Sequence, residues 1–289
     1  MTTSLIILAG GASSRMKKSS SLELNNPVLQ QANSRSKALI ILHDRPLLDY
    51  LLYHAQQAGF RRIYLVIAET DPLFKRYYGT QSSGNRYHGM VLSYAYQSIP
   101  KGRSKPLGTA DALFQTLEQY PHLQQGQFAV CNCDNLYSIK AFQLLRSCVS
   151  TQALINYDRE ALVYPKSRIE QFALIKTNQK DFLTAIVEKP SPEVSEDFKD
   201  VEGKLRVSMN LFLFHGALLY PFLKNCHIDP VRNEKELPLA VIQMIKNHPN
   251  SVLGIPLSEH VPDVTTKSDI LSMNAYLATH PIHSNWVKK

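Results

Sequence analysis

Residues 4–16 read SLIILAGGASSRM, and this stretch decides the fold. An apolar run of strand length, Leu5 to Ala9, ends in the pair Gly10–Gly11, and small polar residues lead on to Arg15. Glycines let backbone N–H groups approach a ligand because no Cβ intervenes, and a guanidinium nearby suits phosphate. The stretch predicts a buried strand and a nucleotide-binding loop, where an open α/β sheet holds its ligand. A plain glycine turn beside a solvated Arg15 is the alternative.

The composition is that of a globular enzyme, with 289 residues, 44% hydrophobic and 19% charged. The net charge of +8 is scattered along the chain, which favours anionic ligands such as nucleotides and sugar phosphates over nucleic acid. The four cysteines lack metal-ligand or disulfide spacing, so we expect reduced thiols and a cytoplasmic location. The first apolar run is too short to span a membrane, and no membrane association is expected.

The first half of the chain alternates strands with helices, an order that predicts a parallel sheet covered by helices. A Ser/Asn/Gln-rich stretch, 17–36, interrupts it and predicts a mobile surface segment. The predicted strands are Lys37–Leu42, Arg61–Ile67, Met90–Tyr96, Gln127–Asn132 and Gln152–Asn156, and the predicted helices start at Pro46, Ala110 and Ile139.

The second half begins with a different pattern. Segments 172–176 and 182–188 alternate like a hairpin, and Val207–Phe214 is a further strand, which together predict an antiparallel extension of the sheet. We expect this extension to form the second wall of a cleft. Further helices are predicted at 217–224 and 236–246, a strand near Val252, and a last helix that opens with a capping box from Thr266 to Asp269.

Short motifs along the chain resemble, in order, those of the sugar-1-phosphate nucleotidyltransferases, from Leu5 to about Asp269. A Glu-x-x-Leu-Pro segment at Glu234–Pro238 is similar as well. The motifs are Leu8–Gly11 with Ser14–Met16, Lys37, Pro46–Tyr50, Pro106–Ala110, Asp134–Asn135, Glu188–Pro190, Asn210 and Asp263.

This resemblance implies an α/β fold of the nucleotide-diphospho-sugar transferase type. Its Rossmann-like, mostly parallel sheet is flanked by helices and carries an antiparallel sugar-binding extension. We expect a single nucleotidyltransferase domain over residues 1–289, with a nucleotide-binding half at about 1–156 and a sugar-binding half at about 157–289. No oligomeric state can be read from the surface pattern.

The resemblance also implies the reaction, in which a sugar 1-phosphate and an NTP give an NDP-sugar and pyrophosphate. Both reactants are anions, so charge neutralisation and positioning supply most of the catalysis. Asp134 and Asp263 are expected to hold Mg²⁺, which assists in-line attack on the α-phosphate. The structural alternatives are an Asx turn for Asp134 and a helix-entry residue for Asp263.

Catalytic roles are implied for Arg15, Lys37 and Asp134. Arg15 is expected to clamp the triphosphate, and Lys37 to contact the reacting phosphates. The segment between Arg15 and Lys37 is longer than is usual in the family, which leaves Lys17 or Lys18 as an alternative to Lys37.

Nucleotide binding is implied for two loops and one strand end. A glutamine amide at the strand end, Gln97, can pair with the imide edge of uracil or thymine through one donor and one acceptor. The turn at 107–109 does not determine the base, because it occurs in members that use different nucleotides. The implied nucleotide-binding residues are Leu8, Ala9, Gly10, Gly11, Gln97, Gly108 and Thr109.

Sugar-phosphate binding is implied for Glu188, Lys189 and Asn210. These residues favour a sugar substrate over the alternative of a cytidylyltransferase that acts on phosphocholine or another non-sugar alcohol phosphate. A non-catalytic nucleotide-binding homologue is a second alternative. A dinucleotide oxidoreductase is disfavoured, because the first loop lacks the third spaced glycine of that fingerprint.

Overall fold

The computed structural model describes residues 1–21, 23–69, 71–81, 84–188, 190–282 and 286. The strands are β1 (Ser4–Leu8), β2 (Ile41–Leu42), β3 (Arg45–Pro46), β4 (Arg62–Ala68), β5 (Asn85–Tyr87), β6 (Met90–Gln97), β7 (Gln127–Asn132), β8 (Ala153–Asp158), β9 (Leu174–Thr177), β10 (Leu183–Val187), β11 (Arg206–His215) and β12 (Leu253–Leu257). The helices are α1 (Ser14–Lys18), α2 (Asn26–Ser34), α3 (Leu47–Gln57), α4 (Pro72–Tyr78), α5 (Thr109–Gln119), α6 (Ile139–Ser147), α7 (Lys166–Ile169), α8 (Pro192–Glu196), α9 (Gly216–Lys224), α10 (Leu237–Asn247) and α11 (Ser268–Thr279).

The centre of the main sheet is parallel. Strand β1 lies between β4 and β7 and runs parallel to both, so that Ile7 pairs with Leu65 on one side and with Cys131 on the other. Strand β6 continues the parallel run beyond β4. The chain therefore builds outward from β1 in one direction through β4 and β6, and then returns to place β7 on the other side of β1. Such a reversal opens a crevice at the carboxyl ends of the two strands.

The predicted antiparallel extension is confirmed. The long strand β11 pairs antiparallel with β7, where Phe212 opposes Val130, and also with β8 and β9. Strands β9 and β10 form the predicted hairpin, and β12 pairs parallel with β8. The fold class is therefore confirmed as a Rossmann-like α/β sheet with a parallel centre and an antiparallel extension.

Helices cover both faces of the sheet because strand side chains alternate between the faces. Leu5 and Ile7 of β1 are buried with α3, α6 and α11, whereas Ile6 is buried with α5, α9 and α10. Burial of one such side chain stabilises the fold by about 1.5–3 kcal/mol. Within the described ranges, no helix is long and apolar enough to cross a membrane.

One stretch holds helices that were not predicted, and one strand prediction is wrong. The stretch 17–36, predicted as a mobile surface segment, holds the end of α1 and all of α2. The side chain of Asn25 caps α2 by accepting a hydrogen bond from the Val28 N–H at 3.1 Å. The strand predicted at Lys37–Leu42 is instead a 3₁₀ turn over Lys37–Leu39 followed by the two-residue strand β2. This turn directs the Lys37 side chain toward the crevice.

Candidate active site

A cavity of about 340 Å³ opens at the carboxyl ends of β1 and β7. Its walls come from the loop after β1, the turn before α5 and the loop after β7. The structure brings together here all of the residues to which sequence analysis gave catalytic or nucleotide-binding roles. These lining residues are Leu8, Ala9, Gly10, Gly11, Arg15, Lys37, Gln97, Gly108, Thr109 and Asp134.

An ion pair between Lys37 and Asp134 lies in the cavity wall, with Nζ and Oδ2 2.7 Å apart. Only 10% of the Lys37 side chain is exposed. Burial lowers the pKa of Lys37, but the negative charges of Asp134 and Asp263 outweigh this effect and raise the pKa above its ordinary value. The ammonium group is therefore charged at neutral pH. Lys17 and Lys18, the alternatives to Lys37, are exposed residues of α1.

Main-chain hydrogen bonds join the segment of Asp134 to the segment of Asp263. The Val264 N–H donates to the Asp134 carbonyl at 2.9 Å, and the Leu136 N–H donates to the Pro262 carbonyl at 2.8 Å. Burial and the nearby charge of Asp134 raise the pKa of the Asp263 carboxyl, although Lys37 and Arg168 act in the opposite direction. The two predicted metal ligands are thus close enough for their charges to interact.

Arg168 of the short helix α7 contacts Asp263 and was missed by sequence analysis. Its Nη2 lies 2.5 Å from Asp263 Oδ2, and its Nη1 donates to Asp269. The guanidinium carbon also lies 4.4 Å from the centre of the Tyr164 ring. No motif in the sequence marks Arg168, because its role depends on two carboxylates that lie far away in the chain.

Asp269 is held by the start of α11. Its Oδ2 accepts hydrogen bonds from the Thr265 N–H at 2.9 Å and the Thr266 N–H at 2.6 Å. In the second of these bonds, the N–H of the first residue of the predicted capping box donates to the carboxylate at its fourth residue.

The donor set fits Mg²⁺. This ion is usually bound by one or two carboxylates, with waters and substrate phosphates completing the octahedron. One oxygen of each carboxylate is engaged, Asp134 Oδ2 by Lys37 and Asp263 Oδ2 by Arg168 and Thr265. In the part of the chain that the structure describes, no hydrogen bond reaches the Oδ1 atom of either residue. No cluster of three or more potential ligands occurs among the same residues.

The turn before α5 is fixed by a strand-end glutamine and by a distant segment. Gln97, which is only 5% exposed, donates from Nε2 to the Gly108 carbonyl at 2.9 Å. The Lys235 N–H donates to the Leu107 carbonyl at 2.6 Å, and the Ala110 N–H donates to the Lys235 carbonyl at 2.9 Å. The backbone at 106–110 is thereby held in place against the cavity.

The turn at Gly108 packs closely against the segment that contains Glu234 and Lys235. Gly108 has a φ of 113°, and a Cβ there would lie 2.4 Å from the Lys235 carbonyl oxygen. Glu234 lines the cavity beside the turn. The Glu-x-x-Leu-Pro likeness singled out its segment in the sequence, but gave Glu234 no role in the site.

The predicted sugar-phosphate residues do not line this cavity where they are described. Glu188 follows β10, and its Oε2 lies 3.4 Å from Arg232 Nη2. Asn210 lies within β11 with a φ of 58°, where the pairing with β8 is irregular, and its N–H donates to Ser208 Oγ at 3.2 Å. Lys189 lies outside the described residues. The sugar-binding role of these three residues stays a prediction.

A family model described as "Nucleotidyl transferase" matches residues 4–279, which include every part of the cavity. The chain belongs to the nucleotidyl transferase family. This match and the low-identity relatives, which include sugar-phosphate nucleotidyltransferases, together confirm the predicted resemblance to the sugar-1-phosphate class.

Three proteins that are similar to this chain are longer than it is. Glucose-1-phosphate adenylyltransferase of Geobacillus stearothermophilus is 20% identical over 271 residues, which are 93% of this chain and 64% of that protein. The enzyme of that name from Novosphingobium aromaticivorans is 24% identical over 232 residues, with 78% and 50% covered. The bifunctional protein GlmU of Staphylococcus epidermidis is 24% identical over 247 residues, with 84% and 45% covered. The chain thus spans about half to two thirds of the length of these relatives.

Proposed function

We propose that this chain transfers a nucleotidyl group from an NTP to a sugar 1-phosphate and releases pyrophosphate. The observation that carries the proposal is the convergence of the glycine loop, Arg15 and the Lys37–Asp134 pair on one cavity. A glycine loop with cations at a sheet crevice suits a polyphosphate. The names of the relatives supply the sugar phosphate as the acceptor class.

In the proposed reaction, a phosphate oxygen of the sugar 1-phosphate forms a bond to the α-phosphorus. The bond between the α-phosphorus and the oxygen that bridges to the β-phosphate breaks, and that oxygen leaves with pyrophosphate. No redox partner is needed. The chain has to hold two anions together and to neutralise the charge that moves to the leaving group.

The glycine loop, Arg15 and Lys37 have distinct parts in this scheme. The Gly10–Gly11 backbone would allow close approach of the triphosphate, and the exposed Arg15 side chain, which lines the cavity, would pair with it at the loop. Lys37 keeps its charge beside Asp134 and is suited to the oxygens of the reacting phosphates. The ion pair holds Lys37 and Asp134 in place before substrate arrives, so little reorganisation of these two groups would accompany the reaction.

Asp134 and Asp263 are the residues that would hold Mg²⁺. When bound, the ion would supply charge neutralisation at the α-phosphate and the incoming phosphate. Asp134 lines the cavity, and the main-chain hydrogen bonds described above keep Asp263 next to it.

The test is a matrix of pyrophosphate-release assays that crosses ATP, CTP, GTP, UTP and dTTP with sugar 1-phosphates and phosphocholine. We expect release with one sugar 1-phosphate, loss of release when EDTA removes Mg²⁺, and no turnover by Asp134→Ala with an unchanged far-UV spectrum. Release with phosphocholine alone would move the chain to the cytidylyltransferase alternative. Nucleotide binding without any release would show a non-catalytic homologue.

A further inference from the structure

Helix α1, which carries Arg15, has little that holds it from within. It is five residues long, and a helix of this length is not stable on its own in water. Among the described residues, no side chain caps its first turn, where Ser13 has a left-handed φ of 53°, and Met16 is its one buried residue. The position of α1, and with it the Arg15 side chain at the cavity, therefore depends on contacts with the rest of the chain.

The carboxyl end of α1 is held by Lys267, which lies far away in the sequence. Its Nζ donates to the Lys17 carbonyl at 3.2 Å and also to the Ser19 carbonyl. Its N–H donates to Ser19 Oγ at 3.0 Å, and this Oγ in turn donates to the Met16 carbonyl at 2.9 Å. These bonds satisfy carbonyls that the end of a helix leaves without internal partners.

The ammonium group of Lys267 is withdrawn from solvent, since the residue is only 5% exposed. In the described part of the chain, no carboxylate forms an ion pair with it, and the nearby Asp263 and Asp269 are both paired with Arg168. A buried charge is costly unless it is compensated, and the carbonyls at the negative end of a helix supply that compensation. The hold on α1 thus explains why a lysine is buried at this position.

Lys267 belongs to the segment 263–269, which also carries Asp263. The Val264 N–H of this segment donates to the Asp134 carbonyl at 2.9 Å, so the segment is fixed to the loop after β7. The side chain of Lys267 extends from this fixed segment to the end of α1. Two parts of the site that are distant in sequence, the helix with Arg15 and the segment with Asp263, are therefore linked through one side chain.

We propose that Lys267 is a positioning residue for Arg15, an inference that rests on the proposed function. Lys267 holds α1 so that the Arg15 guanidinium stays at the cavity, and the binding of a triphosphate by Arg15 depends on this hold. Without Lys267, α1 frays from its carboxyl end. A guanidinium on a frayed helix binds more weakly, because its ordering then costs conformational entropy at the moment of binding.

The probe is inorganic tripolyphosphate, which carries the charges of the phosphates of an NTP without a base. Its dissociation constant is measured by calorimetry for the unmodified chain, Lys267→Met, Arg15→Met and the variant with both changes. Hydrogen exchange of the amides at 17–19 reports on α1, and thermal unfolding reports on the whole fold.

The matched control is Arg146→Met, which removes another cation that donates to the carbonyl at the end of a helix. Arg146 Nη1 donates to the Ala58 carbonyl, at the end of α3, at 2.8 Å, and Arg146 lies outside the cavity walls. A general loss of stability would therefore affect both variants, whereas a loss that concerns Arg15 would affect Lys267→Met alone.

We expect Lys267→Met to weaken tripolyphosphate binding about tenfold, and Arg15→Met to weaken it by about 10- to 100-fold. The double variant should bind no more than about twofold worse than Arg15→Met, because Lys267 acts through Arg15. Exchange at 17–19 should be faster in Lys267→Met, and Arg146→Met should change neither this exchange nor the affinity. Losses that add in the double variant, or unchanged affinity in Lys267→Met, would overturn the proposal.

Ser19→Ala tests the same contact if Lys267→Met does not fold. Ser19 is half-buried, and its Oγ joins the Lys267 N–H to the Met16 carbonyl. The change should speed exchange at 17 and 18 and weaken tripolyphosphate binding about threefold. Unchanged exchange and affinity in this variant would also overturn the proposal.

Turnover separates this inference from the proposed function. Lys267→Met should raise the KM for the NTP about tenfold and leave the KM for the sugar 1-phosphate unchanged, whereas an equal rise in both would overturn the positioning role. Tripolyphosphate binding that depends on Lys267, without pyrophosphate release from any substrate pair, would overturn the proposed function alone. Release with an unchanged KM for the NTP in Lys267→Met would overturn this inference alone. A failure of the unmodified chain to bind tripolyphosphate would overturn both.

Discussion

The ammonium of Lys37 and the carboxylate of Asp134 are the most closely joined charges in the cavity wall. Both are largely withdrawn from solvent, so each charge depends on the other for compensation. The pair therefore bears on stability as well as on the proposed catalysis, and tests of its role need a measurement of folding beside the measurement of turnover.

If the proposed function holds, replacement of Lys37 by Met should lower kcat for pyrophosphate release by about 100- to 1000-fold, because the reacting phosphates would lose a fixed positive charge. The control is the double variant Lys17→Ala/Lys18→Ala, which alters exposed residues of α1 and should keep kcat within about threefold. Thermal unfolding of both proteins would show that the fold persists. Loss of turnover in the double variant, with turnover retained in Lys37→Met, would assign the role to α1.

Arg168 should be needed for stability because it compensates Asp263 and Asp269 together. Arg168→Met leaves Asp263, which is largely buried, without this partner, and should lower the free energy of unfolding by about 3 kcal/mol. The measurement is urea denaturation at pH 7. In the double variant Arg168→Met/Asp263→Asn the uncompensated charge is gone, so part of the loss should be recovered. Losses that simply add would contradict the coupling.

At the scale of the element, the turn before α5 depends on a backbone conformation that glycine alone adopts easily. Gly108→Ala places a Cβ against the Lys235 carbonyl at a φ of 113° and should lower the free energy of unfolding by more than about 2 kcal/mol, together with nucleotide affinity. Gly102→Ala, in the preceding loop, is the matched control. Its φ is also positive, at 85°, but no atom lies within 4 Å of the position that the added Cβ would take. Similar losses in the two variants would show that φ strain, and not the contact with Lys235, sets the cost.

The longer elements could be predicted because each carries its own signal. Strand β1 was located by its continuous apolar run. Helices α5 and α10 were located by apolar residues that recur at helical spacing. Helix α2 escaped prediction because Ala32 is its only buried residue, and its start depends on the Asn25 cap. A helix with so little apolar face resembles a polar loop in sequence.

The nucleotide end of the candidate site was predictable for a similar reason. Gly10, Lys37 and Asp134 belong to motifs that keep their order along the chain, and the parallel strands bring their loops to one edge. Arg168 carries no motif. Its partners are set by which loops the sheet places side by side, and that information is not contained in any local pattern.

At the scale of the whole molecule, a half-buried histidine between two helices should make stability depend on pH. His54 of α3 donates from Nδ1 to the Tyr137 carbonyl, just before α6, at 2.8 Å. Burial lowers the pKa of His54 and outweighs this hydrogen bond, which acts in the opposite direction. The unfolded chain therefore binds a proton more readily than the folded one. The stability is fully present above the unfolded pKa of about 6.5 and decreases as the pH falls below it.

The corresponding measurement is the free energy of unfolding between pH 7.5 and pH 5. His54 should contribute a decrease of at most about 1.4 kcal/mol per pH unit below pH 6.5. His54→Asn keeps a donor for the Tyr137 carbonyl but does not titrate, so its curve should be flatter. His260, whose pKa burial also lowers, stays in both proteins and acts in the same direction. Parallel curves for the two proteins would refute the assignment to His54.

The main-chain hydrogen bonds between the Asp134 and Asp263 segments also bear on how the protein is made. The ribosome synthesises the glycine loop, Lys37 and Asp134 long before Asp263. The main-chain hydrogen bonds from Leu136 and Val264 then join the early segment to the late one. A chain that has grown only as far as Asp134 therefore holds the glycine loop and Lys37 without the second carboxylate. If the proposed function is right, a growing polypeptide does not consume nucleoside triphosphate, and activity begins only when the segment with Asp263 has packed against the segment with Asp134.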